Sequence, residues 1–445
     1  MEDEDNMQSR EKAPRLIRRC ILVIAGLTLS ALPTVAQVRS NGFFLTSPLE
    51  ISSGYDSRFI TSTGQLSGPV STVTGPVMSW INSTHRTHFS IDYKPEAQFL
   101  PGNPDLNSWN QSSILRLTNR LNSRWSLDLG NSFLDTSDPN RALVNSLILL
   151  PRSRYRENVV YGEATYRVDH STRVKVRFDN SVNTVALTGA QKGRLDRIAN
   201  AATVTLDRSL TAAQNISGSY SFLRVTPLHS SVSGGPTNVH LVNAVYTYDV
   251  TRSLLLRLAG GWVAGAQTAA TGAIGAEKAF GRLWTAVGYQ RYVGFFGGLV
   301  PVSGLPVATS FASGITPDSL YQVVSVKVWG QLSRRVGMDI TGQRATNGIA
   351  GQSVDVRSLI GRFRLTWRLT DTFSVFAEAD HYGQSINQFS GRPLSENRYL
   401  AGIRVALARP PEPDTIRPGR RKGAPEAQDV PNEVVNGETP KVQEN

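Results

Sequence analysis

From Leu49 to about Ala408 the chain alternates hydrophobic and polar positions with a period of two. Residues Ser358–Leu369 place Leu359, Gly361, Phe363, Leu365, Trp367 and Leu369 against Ser358, Arg362, Arg364, Thr366 and Arg368; only Ile360 breaks the pattern. Residues 172–182 set Val174, Val176 and Phe178 against Arg173, Lys175, Arg177 and Asp179. Residues 398–408 set Tyr399, Ala401, Ile403, Val405 and Leu407 against Gly402 and Arg404. Residues 115–121 set Leu115, Leu117 and Leu121 against Arg116, Thr118 and Arg120. Successive side chains on a strand point to opposite faces, so each segment predicts one apolar and one polar surface.

Two kinds of connection separate these segments. Very short ones fall at His85-Arg86, Asn122-Ser123, His170-Ser171, Arg208-Ser209, Thr251-Arg252, Phe280-Gly281, Ser333-Arg334 and Thr370-Asp371. The others are long and rich in Gly, Pro, Ser and Asn. Eight short turns imply sixteen hairpin strands; Leu49–Phe59 and Arg398–Ala408 add one at each end, giving about eighteen. The number falls to sixteen if the weakly patterned stretches 76–82 and 271–280 are not strands. An even count puts both ends on the short-turn side, as in outer-membrane barrels. The expected fold is therefore all-β, a transmembrane antiparallel β-barrel. A propeller blade needs four strands per repeat and a solenoid much shorter rungs, and neither fits long strands in pairs.

After residue 40 no window approaches the roughly 18 apolar residues a membrane helix needs. At the N-terminus, Arg15, Arg18 and Arg19 precede the apolar run Cys20–Leu32, and small residues follow at Thr34 and Ala36. This reads as a secretory signal peptide over residues 1–36, cleaved after Ala36. Its acidic start, Met1 to Asn6, is unusual for a signal, and initiation at Met7 would remove it. The barrel is assigned to residues 37–408, and residues 37–48 are too few for a plug domain. Residues 409–445, rich in Pro, Glu, Lys and Arg, read as a disordered periplasmic tail with a basic cluster, Arg417 to Lys422. The single cysteine, Cys20, falls inside the signal, so the mature chain offers no disulfide or thiolate metal site.

Only 18% of the 445 residues are charged, with a formal net charge of +12. A barrel of sixteen to eighteen strands is too wide for its side chains to fill, so the polar face predicts a water-filled lumen. Candidate pore-lining residues are Arg116, Arg120, Arg173, Lys175, Arg177, Arg362, Arg364, Arg368, Glu378, Asp380 and Arg404. This set leans positive and would favour anionic or polar solutes. Equally, Arg362 and Arg364 can pair with Glu378 and Asp380 in a structural network. Trp125, Tyr166, Tyr246, Tyr248, Trp367 and Tyr399 sit near strand ends on the apolar face and suggest interfacial girdles. The segments Asp135–Asn158 and Phe295–Ser319 are the longest connections and candidate constrictions. No catalytic motif, phosphate loop or metal-ligand set is visible, so neither an enzyme nor a cofactor is expected. His85 and His88 lack a third ligand, and export with dispersed charge argues against nucleic acid. A barrel enzyme and a closed structural barrel are the alternatives of other classes.

The entry strand Leu49-Glu-Ile-Ser-Ser-Gly-Tyr-Asp-Ser-Arg58, and hairpins such as those at Leu206–Leu210 and Leu369–Phe373, resemble porin-like outer-membrane barrels associated with exopolysaccharide systems. The resemblance covers residues 49–408 with motifs of low specificity. It implies a conduit for polysaccharide, best read as export with a periplasmic polysaccharide-export partner, in contact with outer-membrane lipid and the barrel-assembly machinery. A general or anion-preferring diffusion porin is the alternative.

Overall fold

The computed structural model describes residues 41–61, 64–138, 152–186, 196–228, 236–265, 268–294, 319–349, 355–386 and 394–406. The expected signal peptide and tail, and the candidate constriction Phe295–Ser319 apart from Ser319, lie outside them. The described residues form one antiparallel sheet of twenty strand segments, β1 (Gly42–Leu45), β2 (Leu49–Thr61), β3 (Gly64–Thr74), β4 (Met78–Ser83), β5 (Thr87–Phe99), β6 (Ser108–Arg120), β7 (Trp125–Thr136), β8 (Tyr155–Arg167), β9 (Thr172–Val185) and β10 (Arg197–Ser209) in its first half. The second half is β11 (Gln214–Pro227), β12 (Thr237–Thr251), β13 (Leu254–Ala264), β14 (Ala269–Phe280), β15 (Leu283–Gly294), β16 (Ser319–Gln331), β17 (Val336–Ile349), β18 (Asp355–Arg368), β19 (Phe373–Ile386) and β20 (Leu394–Val405).

Both β3 and β4 pair with β5, on either side of an interruption at Gly75–Val77, so they occupy one position in the wall. On their other side they pair with β2 and β1, which likewise share a position. The ring closes where β2 pairs with β20, from Leu49 opposite Val405 to Asp56 opposite Arg398. The result is a closed barrel of eighteen strand positions, and closure removes the free edge that a sheet of this size would otherwise present. Of the weakly patterned stretches, 271–280 lies wholly within β14, and 76–82 is strand from Met78 on, in β4. The last strand starts earlier than expected, at Leu394, and ends at Val405. Residues 42–45 and 64–74 are strands that the pattern did not show.

All eight short connections exist, displaced by at most a few residues from the expected positions. Six share one device. Thr84, Asn122, Asp169, Thr211, Ser333 and Thr370 each open a turn and accept, through the side-chain oxygen, backbone N–H groups two or three residues on. In each, the backbone N–H of that opening residue donates to the carbonyl three positions later. Short polar side chains satisfy the turn backbone locally, which fixes where the strands reverse. The Asp169 carboxylate, bonded by the Ser171 N–H and hydroxyl and by the Thr172 N–H, is held down to about 2. Between β14 and β15 the device is different: Gly281 adopts φ 61°, the left-handed conformation a two-residue hairpin asks of its first residue.

Candidate functional site: the inner wall

Strand parity and register divide the wall into two faces. On β9 the outward residues Val176 and Phe178 are 52% and 54% exposed. The alternate residues Lys175, Arg177 and Asp179 point to the concave side, where side chains from distant strands meet. All the candidate lining residues lie on this inner face.

Eight of the eleven are engaged in ion pairs. Arg116 meets Asp128 at 2.6 Å, and Lys175 meets Asp207 at 3.3 Å. Arg177 lies 2.7 Å from Asp179 and 3.8 Å from Glu163, with its guanidinium 4.3 Å above the Tyr161 ring. Arg362 pairs with Asp380 at 2.9 Å. Arg364 reaches Glu378 at 3.5 Å and Glu50 at 3.0 Å, and Arg404 also reaches Glu50, at 3.2 Å. Arg364 and Glu50 belong to strands three positions apart, so this contact spans the concave surface across β19 and β20. The expected pairing of Arg362 and Arg364 with Glu378 and Asp380 is thus present, and it extends further around the ring.

The expectation of a net basic inner wall needs correction. Carboxylates are as frequent as cations on the described inward positions, and most of the ion pairs join adjacent strands, with Arg177–Asp179 and Arg398–Glu396 pairing along one strand. The remaining three candidates, Arg120, Arg173 and Arg368, are different. They are exposed, lie at the short-turn ends of β6, β9 and β18, and make no ion pair among the described residues. Among these candidates, the positive charge that has no ion pair among the described residues is therefore at the turn-side mouth.

The most buried polar cluster was not among the candidates. Arg398 on β20 contacts Asp56 on β2 at 3.4 Å, Glu396 at 3.5 Å and Asp138, just beyond β7, at 3.0 Å. Arg152, just before β8, binds the same Asp138 carboxylate at 3.0 Å and Gln98 on β5. The side chains of Arg398, Asp56, Asp138 and Arg152 are all buried. In register, Arg398 also stands opposite Asp380, so Arg362, Asp380, Arg398 and Asp56 form one alternating row across four strands. Parity along β20 placed Arg398 inward with Gly402 and Arg404. No periodic signal pointed to Asp138 or Arg152, because both lie outside strands. Their contacts show that the ends of the predicted constriction segment Asp135–Asn158 reach the closing seam β20–β2 across several strand positions.

Two inward glycines are covered by aromatic rings. Tyr161 lies over Gly130 and donates its hydroxyl to Asp128 at 3.1 Å. Phe376 lies over Gly402, with the Arg364 guanidinium 4.0 Å from its ring. In each case a methyl group on the glycine would collide with the ring, so the missing side chain makes room for a partner from the next strand. The inner face is not polar throughout. Towards the long-loop ends of β10–β13, Ala199, Ala201, Leu223, Val225, Val239, Leu241 and Val263 point inward and form a buried apolar cluster. The outward neighbours there include the polar Asn200, Arg224, Asn238 and His240, so the usual polarity of the two faces is reversed, which explains why the pattern fades along β12.

The outer face is a continuous apolar belt with aromatic borders. Trp125 and Tyr166 pack with ring centroids 4.8 Å apart and planes tilted by 39°, on adjacent strands at the turn side. Tyr246, Tyr248, Phe280 and Trp367 lie at the same border. No described helix is long and apolar enough to cross a membrane. A closed barrel whose outward face is apolar and aromatic-bordered satisfies its backbone internally, the condition for crossing a bilayer on strands. The protein belongs in the bacterial outer membrane. Among the described residues no group of His, Cys, Asp or Glu could hold a metal ion.

No family model and no curated protein matches the chain. Solved structures do resemble it. OpdO of Pseudomonas aeruginosa is 13% identical with a TM-score of 0.46, over 82% of this chain and 98% of that one. OccAB4 of Acinetobacter baumannii is 9% identical with a TM-score of 0.45, over 84% of this chain and 100% of that one. A BenF-like porin from Pseudomonas fluorescens Pf-5 is 11% identical with a TM-score of 0.45, over 81% and 98%. By its own register and contacts the chain is a closed antiparallel β-barrel of eighteen strand positions with a charge-paired inner wall.

Proposed function

We propose that the protein is an outer-membrane diffusion porin for small polar solutes, with a mild preference for anions set at its turn-side mouth. The observation that carries this reading is the eighteen-position ring with ion-paired side chains along its inner face. Barrels of sixteen to eighteen strands keep an aqueous channel because wall side chains cannot span the interior. Alternating charges on the wall hold ordered water and pass polar solutes without strong selection by sign. The exposed Arg120, Arg173 and Arg368 supply the anion bias. Asp138 and Arg152 narrow the passage by bridging to Arg398 and Gln98. Exopolysaccharide export, the expectation drawn from resemblance, gains no support from this geometry.

The test is single-channel conductance and reversal potential of the refolded protein in a planar bilayer. Stable steps with weak anion preference are expected, and R120Q/R173Q/R368Q should shift the reversal potential towards cation preference at unchanged step size. Folded barrels that conduct nothing would overturn the diffusion reading.

A further inference from the structure

The turn-side mouth carries two inward tryptophans that the sequence pattern did not single out. Trp284 on β15 and Trp329 on β16 stand opposite each other in register, on the inner face. Their rings stack with centroids 6.3 Å apart and planes 18° from parallel. The ammonium of Lys327, the next inward residue on β16, lies 5.2 Å from the Trp329 ring and 3.8 Å from the Asp339 carboxylate. One indole of the stack thus already holds an ammonium group with a carboxylate beside it. The face of an aromatic ring attracts cations, that of indole most strongly.

The other indole has the carboxylates without the ammonium. Trp284 borders a cavity of about 160 Å³ together with Asp249, Leu255 and Glu277, and Thr251 and Ser253 form its lip. Asp249, Leu255 and Glu277 fall in one registered row across β12, β13 and β14, and Trp284 stands diagonal to Glu277. Among the described residues Asp249 makes no ion pair and no cation lies over Trp284. Glu277 lies 3.6 Å from Arg257, beyond hydrogen-bond reach, and its Oε1 has no hydrogen-bond partner among the described residues. Two carboxylates therefore share one guanidinium, which leaves the recess a net negative charge. Arg252, in the turn beside it, is exposed and screened by water. The pairing of β12 with β13 slips at this point: Asp249 faces Leu255 and Thr251 faces Leu254, so Val250 is an extra residue. A bulge of this kind re-aims the side chains around it, here Asp249. Opposite Trp284 on β14 stands Ala279, too small to cover the ring.

We infer that Asp249, Glu277 and Trp284 form a binding site for a small organic cation, one carrying a methylated ammonium group, on the turn-side inner wall. Such a cation spreads its charge over methyl groups, which the indole and Leu255 accept, while the carboxylates balance the charge. A cavity of about 150 Å³ holds one benzene ring, so the space suits a single small cation. The site is a local exception to the anion bias of the mouth, and it does not rest on free diffusion through the barrel.

The experiment titrates the full folded protein in detergent micelles, by calorimetry, with choline and with dimethylbutanol, its isostere in which carbon replaces the charged nitrogen. Choline should bind and the uncharged alcohol should not. Asp249→Asn should weaken choline binding by about tenfold and Trp284→Leu by about fivefold. Asp371→Asn, in the β18–β19 turn, and Trp367→Leu, on the outward face, should leave it unchanged. Folding is checked by the heat-dependent mobility shift; if Trp284→Leu fails it, Asp249→Asn and the two ligands on the wild type decide. Calorimetry reads binding whether or not the barrel conducts, so failure of the diffusion reading is a separate result. No binding of choline, equal binding of the alcohol, or losses no greater in the Asp249 and Trp284 variants than in the controls would overturn the site.

Discussion

Replacing Arg398 with Gln tests whether the seam cluster holds the barrel as its geometry indicates. The wild-type guanidinium lies 3.4 Å from Asp56, 3.0 Å from Asp138 and 3.5 Å from Glu396. At an effective dielectric near 20 each such contact has a gross attraction of about 5 kcal/mol. Most of that is offset by stripping water from the guanidinium, whose side chain is only 6% exposed. Removing the cation reverses the balance, because three carboxyl groups then share the single guanidinium of Arg152 in a place water hardly reaches. The expected net loss is about 3–5 kcal/mol. Arg116→Gln is the internal comparison: its pair with Asp128 is short, at 2.6 Å, but the side chains are 31% and 20% exposed. Solvent screening there reduces the expected cost to about 1 kcal/mol. The assay is urea unfolding of the folded protein in lipid vesicles, followed by tryptophan fluorescence. A second change, Asp56→Asn, should recover part of the Arg398→Gln loss, since the two residues touch. The pore should also respond: freed from Arg398, Asp138 no longer ties the segment after β7 to the seam, and the conductance step should change. If Arg398→Gln cost no more than Arg116→Gln and left the step unaltered, the cluster would be incidental to both stability and pore size.

Three further outcomes follow from local geometry. Gly130→Ala should displace the Tyr161 ring and lose its 3.1 Å hydrogen bond to Asp128, costing about 1–3 kcal/mol in the same unfolding assay; an unchanged midpoint would show that the ring does not depend on the glycine. Phe178→Arg puts a charge in the middle of the outward belt and should cost about 2–4 kcal/mol, whereas Ser181→Arg, on the inner face of the same strand, should leave insertion into vesicles intact; equal insertion of both variants would contradict the assigned faces. Asp169 binds protons less readily in the folded turn, at about 2, than in the unfolded chain. Its contribution is therefore complete above the ordinary aspartate range near 4 and is lost as pH falls through about 2. Amide exchange at Ser171 and Thr172 should accelerate across that window in the wild type and show no such step in Asp169→Asn.

Much of the barrel was legible because its physics is local. A two-residue period on a strand assigns faces without knowledge of its neighbours, so the inward and outward sides of β6, β9, β18 and β20 could be read directly. The turn residues Thr84, Asn122, Asp169, Ser333 and Thr370 accept N–H groups from their own turn, so their positions also needed nothing from elsewhere in the chain. These two signals set the alternation of short and long connections, and from it the approximate strand number. Where local signals weaken, so did the reading. At the loop end of β12 the polarity of the two faces is reversed, with Val239 and Leu241 inward and Asn238 and His240 outward, the interrupted pairs β1/β2 and β3/β4 hide one wall position each, and β3 contains Pro69 in a stretch that looked like loop.

The inner wall divides in the same way. Parity alone placed Arg116, Lys175, Arg362 and Arg404 inward. It could not say that Arg404 shares Glu50 with Arg364, because that contact depends on where the ring closes. Closure is a property of the whole circuit: it brings β20 against β2 and makes partners of residues more than 300 positions apart. The sequence by itself determined which residues face water or lipid, since that depends only on pleat and turn. Tertiary structure alone decided which charges neutralise one another and which remain at the mouth, and that Asp138, Arg152 and Arg398 converge on one buried cluster. Those outcomes require the closed ring's curvature and register, which no single strand contains.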